Sequence, residues 1–309
     1  MTGAHWALIA VINLVFGLNI VLSKISLAYI DPLTFTAIRF AMVAVLMAGF
    51  LRIDRRQLPQ VAVIALSLGA VHFALSYIGL SKADDVATVA IALQLVVPLA
   101  TLLSIVFLGE RVGWRRSVGI LLAFGGVAII SFDPRVFSYA AAFLWIFGGA
   151  VSAAIGTVLM KRLRNVGVFQ LQGWIALITA PCLAVSAFFL EDPGFAAVAN
   201  MPPWIWGVLM FSGIGTSIIG HGGFYYLLQR YEIAQVAPLT LAAPVVTVIF
   251  GVILLDDVIT IQVATGAVAT LGGVLILVSR SPEPIQPETK SAVLAGGEKP
   301  SVGAHSASD

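Results

Sequence analysis

Hydrophobic residues along this 309-residue chain come in long unbroken runs and do not alternate with polar ones. The runs cover roughly 6–28, 33–51, 60–80, 86–108, 114–132, 138–160, 169–190, 204–228, 234–255 and 260–279. Most are near the ~20 residues that an α-helix needs to cross ~30 Å of hydrocarbon. A transmembrane β-barrel would instead show ~10-residue segments of alternating polarity, which are absent here. The pattern predicts an all-α integral membrane protein with ten transmembrane helices. Connections such as RIDRRQ, SKADD and EDPGF are short, so neighbouring helices run antiparallel with no room for a soluble domain.

Two of these segments resemble each other. LGERVGWRRSVGILLAFGGVAIIS, from Leu108, and LLDDVITIQVATGAVATLGGVLILVS, from Leu254, superimpose at an offset of 147, which pairs Glu110 with Asp257, Gly119 with Gly266 and Gly125 with Gly272. Pro98 and Pro244 match at 146. The repeat is about half the chain, five helices in each copy, with units at 1–133 and 134–280 and a Pro-, Gly- and Ser-rich cytoplasmic tail at 281–309 that reads as disordered. Five is odd, so the second unit is inverted relative to the first.

Charge checks that inversion, because cytoplasmic loops hold the Lys and Arg excess. With the N-terminus inside, inner loops hold eleven basic residues: Arg52, Arg55, Arg56, Arg111, Arg115, Arg116, Lys161, Arg162, Arg164, Arg230 and Arg280. Outer loops hold two, Lys82 and Arg135. The loop after the fourth segment faces inward and keeps its arginines, whereas its twin after the ninth faces outward and carries Asp256 and Asp257. Both termini are therefore expected in the cytoplasm of a bacterial-type inner membrane. Inverted repeats of this kind are the architecture of secondary transporters.

Composition agrees: 60% hydrophobic, 10% charged and a mean hydropathy of +1.02 exclude a soluble domain. The N-terminus has neither a basic run nor a small-residue cleavage pattern, so no cleaved signal peptide is expected. Cys182 is the only cysteine, which excludes an intramolecular disulfide and a cysteine-clustered metal site. With no metal, nucleotide or nucleic-acid motif, no cofactor and no nucleic-acid partner are expected.

Candidate chemistry lies in the few polar groups inside the spans, which normally face the protein interior or a water-filled path. The ionisable ones are Lys24, Arg39, His72 and His221; every carboxylate falls in a loop, at a helix end or in the tail. That distribution disfavours a lipophilic-cation exporter, which needs a buried acid. A basic pair suits a substrate carboxylate, with Arg39 able to hold it bidentately. The structural alternatives are that Lys24 snorkels and that Arg39 pairs with Asp31 or caps carbonyls. Asn13 and Lys24 share a helix face, Asn19 lies on an adjacent one, and interhelical hydrogen bonding is the competing role for both asparagines. His72 and His221 are each followed five residues later by tyrosine, Tyr77 and Tyr226. They are the candidates for proton coupling, and a plain hydrogen bond to a carbonyl is the alternative. Pro98 and Pro244 are expected to kink their helices and free carbonyls one turn upstream for a ligand's amino group, and Gln94, one turn before Pro98 and matching Thr240, to add a side-chain acceptor, with an ordinary helix contact as the alternative. Gly119, Ala123, Gly266 and Thr270 space small residues for close packing, between the halves or in a homodimer.

FGLNIVLSKISLAYIDPLTFTAIRF (16–40), the P…LGE stretch at 98–110 and RYEIAQVAPLTLAAPVVTVIFGVILLDD (230–257) resemble EamA-type proteins of the drug/metabolite transporter superfamily. The last stretch is similar, residue by residue, to the O-acetylserine/cysteine exporter branch. The resemblance implies an inner-membrane exporter of amino acids or derivatives, with a central cavity lined mainly by segments 1, 3, 4, 6, 8 and 9. The chain departs from the family pattern at Asp257, where Glu is usual, and at His221, where the exporter branch often has an aromatic residue. The rival readings are a sugar-phosphate or nucleotide-sugar carrier, a lipophilic-drug exporter, and an intramembrane hydrolase built on Ser217 and His221. The expected partners are the lipid bilayer and a small carboxylate-bearing substrate.

Overall fold

The computed structural model of the chain describes residues 1–83, 86–110, 112–131, 140–192, 194–255 and 261–278. Arg111, Arg135, Asp256, Asp257, Arg280 and the 281–309 tail lie outside the described residues. The described residues are all-helical. In order they form α1 (Gly3–Ser26), α2 (Pro32–Leu46), α3 (Arg55–Lys82), α4 in two pieces (Val86–Leu93 and Val96–Leu108), α5 (Trp114–Ser131) and α6 (Ala140–Arg162). They continue as α7 (Val168–Leu190), α8 (Trp204–Leu228), α9 (Ile233–Leu255) and α10 (Ile261–Val278).

Among these, α1, α3, α7, α8, α9 and the Ala141–Arg162 stretch of α6 are long and apolar enough to cross a membrane. Pro32–Leu46, Val96–Leu108 and Ser117–Gly126 are shorter apolar helices. The shortening of α2 has a local cause: the α-helix stops at Leu46, and a 3-10 turn at Ala48–Phe50 carries the chain on. The fourth segment is interrupted at Gln94 and Leu95, one turn before Pro98, whose missing N–H cannot continue the ladder.

Helices α5 and α10 lie along each other, as do α2 and α7. Around the middle of the molecule α3 packs on α6 and α8 on α1, α4 on α6 and α9 on α1, and α3 on α7 and α8 on α2. The α5–α10 contact is made by small residues. A Cβ on Gly126 would collide with the backbone of Gly266 and Thr270, and one on Gly273 with the backbone of Ala123. The Thr270 hydroxyl donates to Gly266 O at 2.8 Å and to Ala123 O at 3.3 Å. Such close approach supplies dispersion contacts and polar bonds where lipid removes the hydrophobic drive between helices.

Four side chains fasten helix ends, the two glutamates across the two sequence halves and the two lysines each within its own half. The Glu191 carboxylate, just past α7, accepts from Leu33 N, Thr34 N and the Thr34 hydroxyl at 2.5, 2.8 and 2.7 Å. Glu110, just past α4, accepts from Ile233 N and Ala234 N, both at 2.9 Å. Each satisfies orphan donors in the first turn of α2 or α9 and puts negative charge at the positive end of that helix. At the opposite polarity, Lys24 Nζ donates to Leu80 O and Ala83 O at the end of α3, and Lys161 Nζ to Leu228 O and Tyr231 O past α8.

Candidate functional site

Between these helices lies a cavity of about 180 Å³, walled by residues of α1, α2, α3, α4, α6, α8 and α9. Its lining is mostly apolar, including Phe16, Leu68, Phe73, Val97 and Phe224. Of the residues singled out in the sequence, Asn19, Arg39, His72, Tyr77, Gln94, His221 and Thr240 line it. Asn13, Lys24, Pro98, Tyr226 and Pro244 are not among the lining residues.

Arg39 comes from the inward face of α2, where Phe35, Arg39 and Val43 recur at helical spacing and all are fully covered at 0% exposure. Its Nε donates to Ser217 Oγ at 3.0 Å and its Nη1 to Tyr77 Oη at 2.8 Å. The guanidinium carbon stands 4.8 Å from the centre of the Phe73 ring and 5.4 Å from that of Phe40. Nη2 has no hydrogen-bond partner among the described residues. The Asp31 pairing is not made: Asp31 Oδ2 accepts from Gly194 N at 3.1 Å. A guanidinium held in a covered site without a carboxylate and with a spare donor is poised for an anion, because uncompensated buried charge is costly.

Tyr77 organises the rest of this wall. Its hydroxyl accepts from Arg39 and from Asn19 Nδ2 at 3.2 Å, which directs its own proton to Ser23 Oγ at 3.1 Å. Among the described residues Asn19 Oδ1 has no hydrogen-bond partner.

The two histidines sit at matching places. In α3, residues Ala65–Val71 wind as π-helix up to His72; in α8 the π-wound stretch is Phe211–His221 and includes the histidine. His72 Nδ1 meets Gly149 O at 2.9 Å and His221 Nδ1 meets Thr216 O at 2.9 Å. A carbonyl only accepts, so Nδ1 carries the proton in both and Nε2 is the remaining nitrogen. The His221 ring lies between Phe16 and Phe73, with centroids 4.8 and 5.6 Å away.

The five-residue spacing from histidine to tyrosine does not give equivalent positions. Tyr77 lines the cavity, but in α8 the lining residue is Tyr225, while Tyr226 lies under the Arg230 guanidinium at 3.6 Å. The π-winding ends before His72 and runs through His221, so the turns that follow start from different angles around the axis. Lys24 spends its ammonium on the end of α3. Asn13 Nδ2 donates to Ile9 O at 2.8 Å and Leu239 O at 3.1 Å, tying α1 to α9. The carbonyls upstream of the two prolines are not bare. Gln94 O accepts from Val97 N at 3.0 Å, and Thr240 O from Ala243 N. Both are tight i→i+3 bonds that take one lone pair of each oxygen.

The sequence reading missed Phe73 and Thr216 as cavity residues and considered Ser217 only as a nucleophile. Ser217 Oγ accepts from Arg39 Nε and donates to Ser212 O at 3.3 Å, while His221 turns to Thr216 O. The hydroxyl and imidazole are thus used separately and do not form a catalytic pair. The available signal for Ser217 was its place in the buried run of small residues Ser212, Gly213, Gly215, Thr216, Ser217 and Gly220. Among the described residues no His, Cys, Asp or Glu cluster could hold a metal ion.

The chain is similar to known transporters over most of its length. An uncharacterized transporter of Archaeoglobus fulgidus is 28% identical over 282 residues, covering 89% of this chain and 99% of that protein. A probable amino-acid metabolite efflux pump of Escherichia coli is 28% identical over 284 residues, covering 89% and 95%. A solved crystal structure shares the fold with a TM-score of 0.71 at 18% identity, over 89% of this chain and 96% of that one. The model of the EamA-like transporter family matches residues 1–132 and again residues 140–279. With both halves matched and helices of spanning length around a central cavity, the chain is a multi-pass membrane transporter and belongs to the EamA-like transporter family.

Proposed function

We propose that the protein is a secondary transporter that exports small carboxylate-bearing metabolites, amino acids or their derivatives, across the inner membrane by alternating access. The observation that carries this reading is Arg39: wholly buried, at the cavity wall, and, among the described residues, with Nη2 unpartnered and no Asp or Glu in the lining. Two inverted five-helix units, 1–133 and 134–280, with both termini cytoplasmic, are part of the same reading. It is supported by helix contacts that occur in exchanged pairs, such as α3 on α6 and α8 on α1. Matched fastenings support it too, with Glu110 and Glu191 at helix starts and Lys24 and Lys161 at helix ends. The efflux-pump name of the Escherichia coli relative fits an amino-acid metabolite substrate.

His72 and His221 are the proton-coupling candidates, through Nε2; a neutral replacement that leaves the pH dependence of transport unchanged removes that role. The small residues of α5 and α10 are used within one chain, so a homodimer would use outer faces, such as those carrying Leu121 and Val268.

The test is thermal stabilisation of purified protein by amino acids, O-acetylserine, sugar phosphates and lipophilic cations, beside an Arg39→Gln variant. Stabilisation by amino acids or their derivatives that disappears in the variant is expected. Stabilisation by lipophilic cations alone, unchanged in the variant, would make Arg39 structural. A response to sugar phosphates alone would assign the site to a phosphate carrier.

A further inference from the structure

Resting on the carboxylate reading of Arg39, we propose that the cavity selects a monoanionic N-acylated α-amino acid with an apolar side chain over the free zwitterionic amino acid. The charge inventory gives the first reason. Arg39 supplies one positive charge, and among the described lining residues none supplies a negative one. A monoanion neutralises the site, whereas a zwitterion leaves it with a net positive charge in surroundings of low dielectric, where an unpaired charge is expensive.

The unpartnered atoms of the wall give the second. Arg39 and Asn19 both bond to the Tyr77 hydroxyl, at 2.8 and 3.2 Å, and both are buried, at 0% and 7% exposure. Both hang from one oxygen, and among the described residues each keeps an atom without a partner, the donor Arg39 Nη2 and the acceptor Asn19 Oδ1. That pairing suits a carboxylate and an N–H on the adjacent carbon. A further buried polar atom of the lining without a partner among the described residues is Thr216 Oγ1, next in sequence to the Ser217 that holds Arg39 Nε. Its hydroxyl can donate to the second carboxylate oxygen. A free ammonium brings three N–H donors and a charge that the neutral acceptors of the wall, Asn19 Oδ1 among them, do not balance. An acylated nitrogen brings one N–H, no charge and an apolar acyl group suited to a wall of Phe16, Phe73 and Phe224. Leaving fewer buried donors unmade is the source of the discrimination.

Purified protein and proteoliposomes are tested with leucine, N-acetylleucine and leucinamide at neutral pH, on the native chain and on Arg39→Gln and Asn19→Asp variants. N-Acetylleucine is expected to bind at least about tenfold more tightly than leucine, and leucinamide not to bind. The Asn19→Asp variant, which keeps Arg39 and adds the missing negative charge, is expected to reverse the order in favour of leucine. It keeps the test available if Arg39→Gln does not fold. Leucine binding as tightly as N-acetylleucine, both depending on Arg39, would overturn the anion preference and leave the carboxylate site standing. Leucinamide binding as well as N-acetylleucine, or binding by none of the three, would overturn the carboxylate reading itself. An unchanged order in Asn19→Asp would remove Asn19 from the nitrogen end and with it this proposal.

Discussion

Lys24 and Lys161 perform the same task in different halves of the chain: each passes its ammonium to two backbone carbonyls at the end of a helix, α3 for Lys24 and α8 for Lys161. Cationic donors stabilise a helix C-terminus by satisfying orphan carbonyls and by opposing the dipole. Replacing either lysine by Met is expected to cost about 1.5–3 kcal/mol, the range for hydrogen bonds to charged groups. The sites share no partner, so the double variant should lose roughly the sum. Denaturation in detergent measures this. A Lys24→Met protein of undiminished stability that no longer binds substrate would return Lys24 to the substrate pathway.

The carboxylates Glu110 and Glu191 cap helices that belong to the opposite sequence half. Changing either to Ala removes the acceptor for first-turn donors and is expected to lower stability by about 1–2 kcal/mol. Gln keeps an oxygen but loses the charge, so it should recover part of the loss. Equal stability of the Ala and Gln variants would show that charge at the helix start contributes nothing.

Neighbouring glycines in α5 should behave oppositely. A Cβ on Gly125 meets nothing within 4 Å, whereas one on Gly126 meets the backbone of α10. Gly125→Ala is expected to be neutral or to stabilise by up to about 1 kcal/mol through helix propensity. Gly126→Ala should destabilise by about 1–3 kcal/mol through overpacking. If thermal scans rank the two the other way round, the seam is not packed as described.

Removing the Tyr77 hydroxyl strands Arg39 Nη1 and Asn19 Nδ2 together. Tyr77→Phe is therefore expected to cost about 2–3 kcal/mol, more than Ser217→Ala, which strands only Arg39 Nε. Ser217→Ala should keep measurable transport in proteoliposomes. A protein that folds but loses all function on that change would revive a chemical role for the serine.

How much of this was legible in the sequence follows from the range of each signal. The helices come from uninterrupted apolar runs, a local property, and their positions agree with the structure within a few residues. Arg39, His72 and His221 stood out because ionisable groups in apolar runs are rare. What the two histidine-tyrosine pairs concealed was a change of winding. Whether a stretch such as FSGIGTSIIGH coils with four or five residues between bonded groups depends on what packs against it. Gly220, where a Cβ would press on the Phe16 ring, belongs to that packing and not to local pattern. The direction of Lys24 was equally hidden, because a long side chain spans several helix turns and its partner carbonyls lie on α3, over fifty residues away. Glu110 and Glu191 read as ordinary loop charges, since nothing local shows which distant helix start they approach.

The α5–α10 seam limits how the protein can move. Two helices whose glycines admit the other's backbone cannot slide past one another without driving a Cβ or a carbonyl into the space that Gly126 and Gly273 leave open. They can only roll. Sideways travel is therefore costly along that flank of the molecule. For a transporter that works by alternating access, the larger movement would then fall to contacts farther from the seam, such as those of α3 on α6 and α8 on α1.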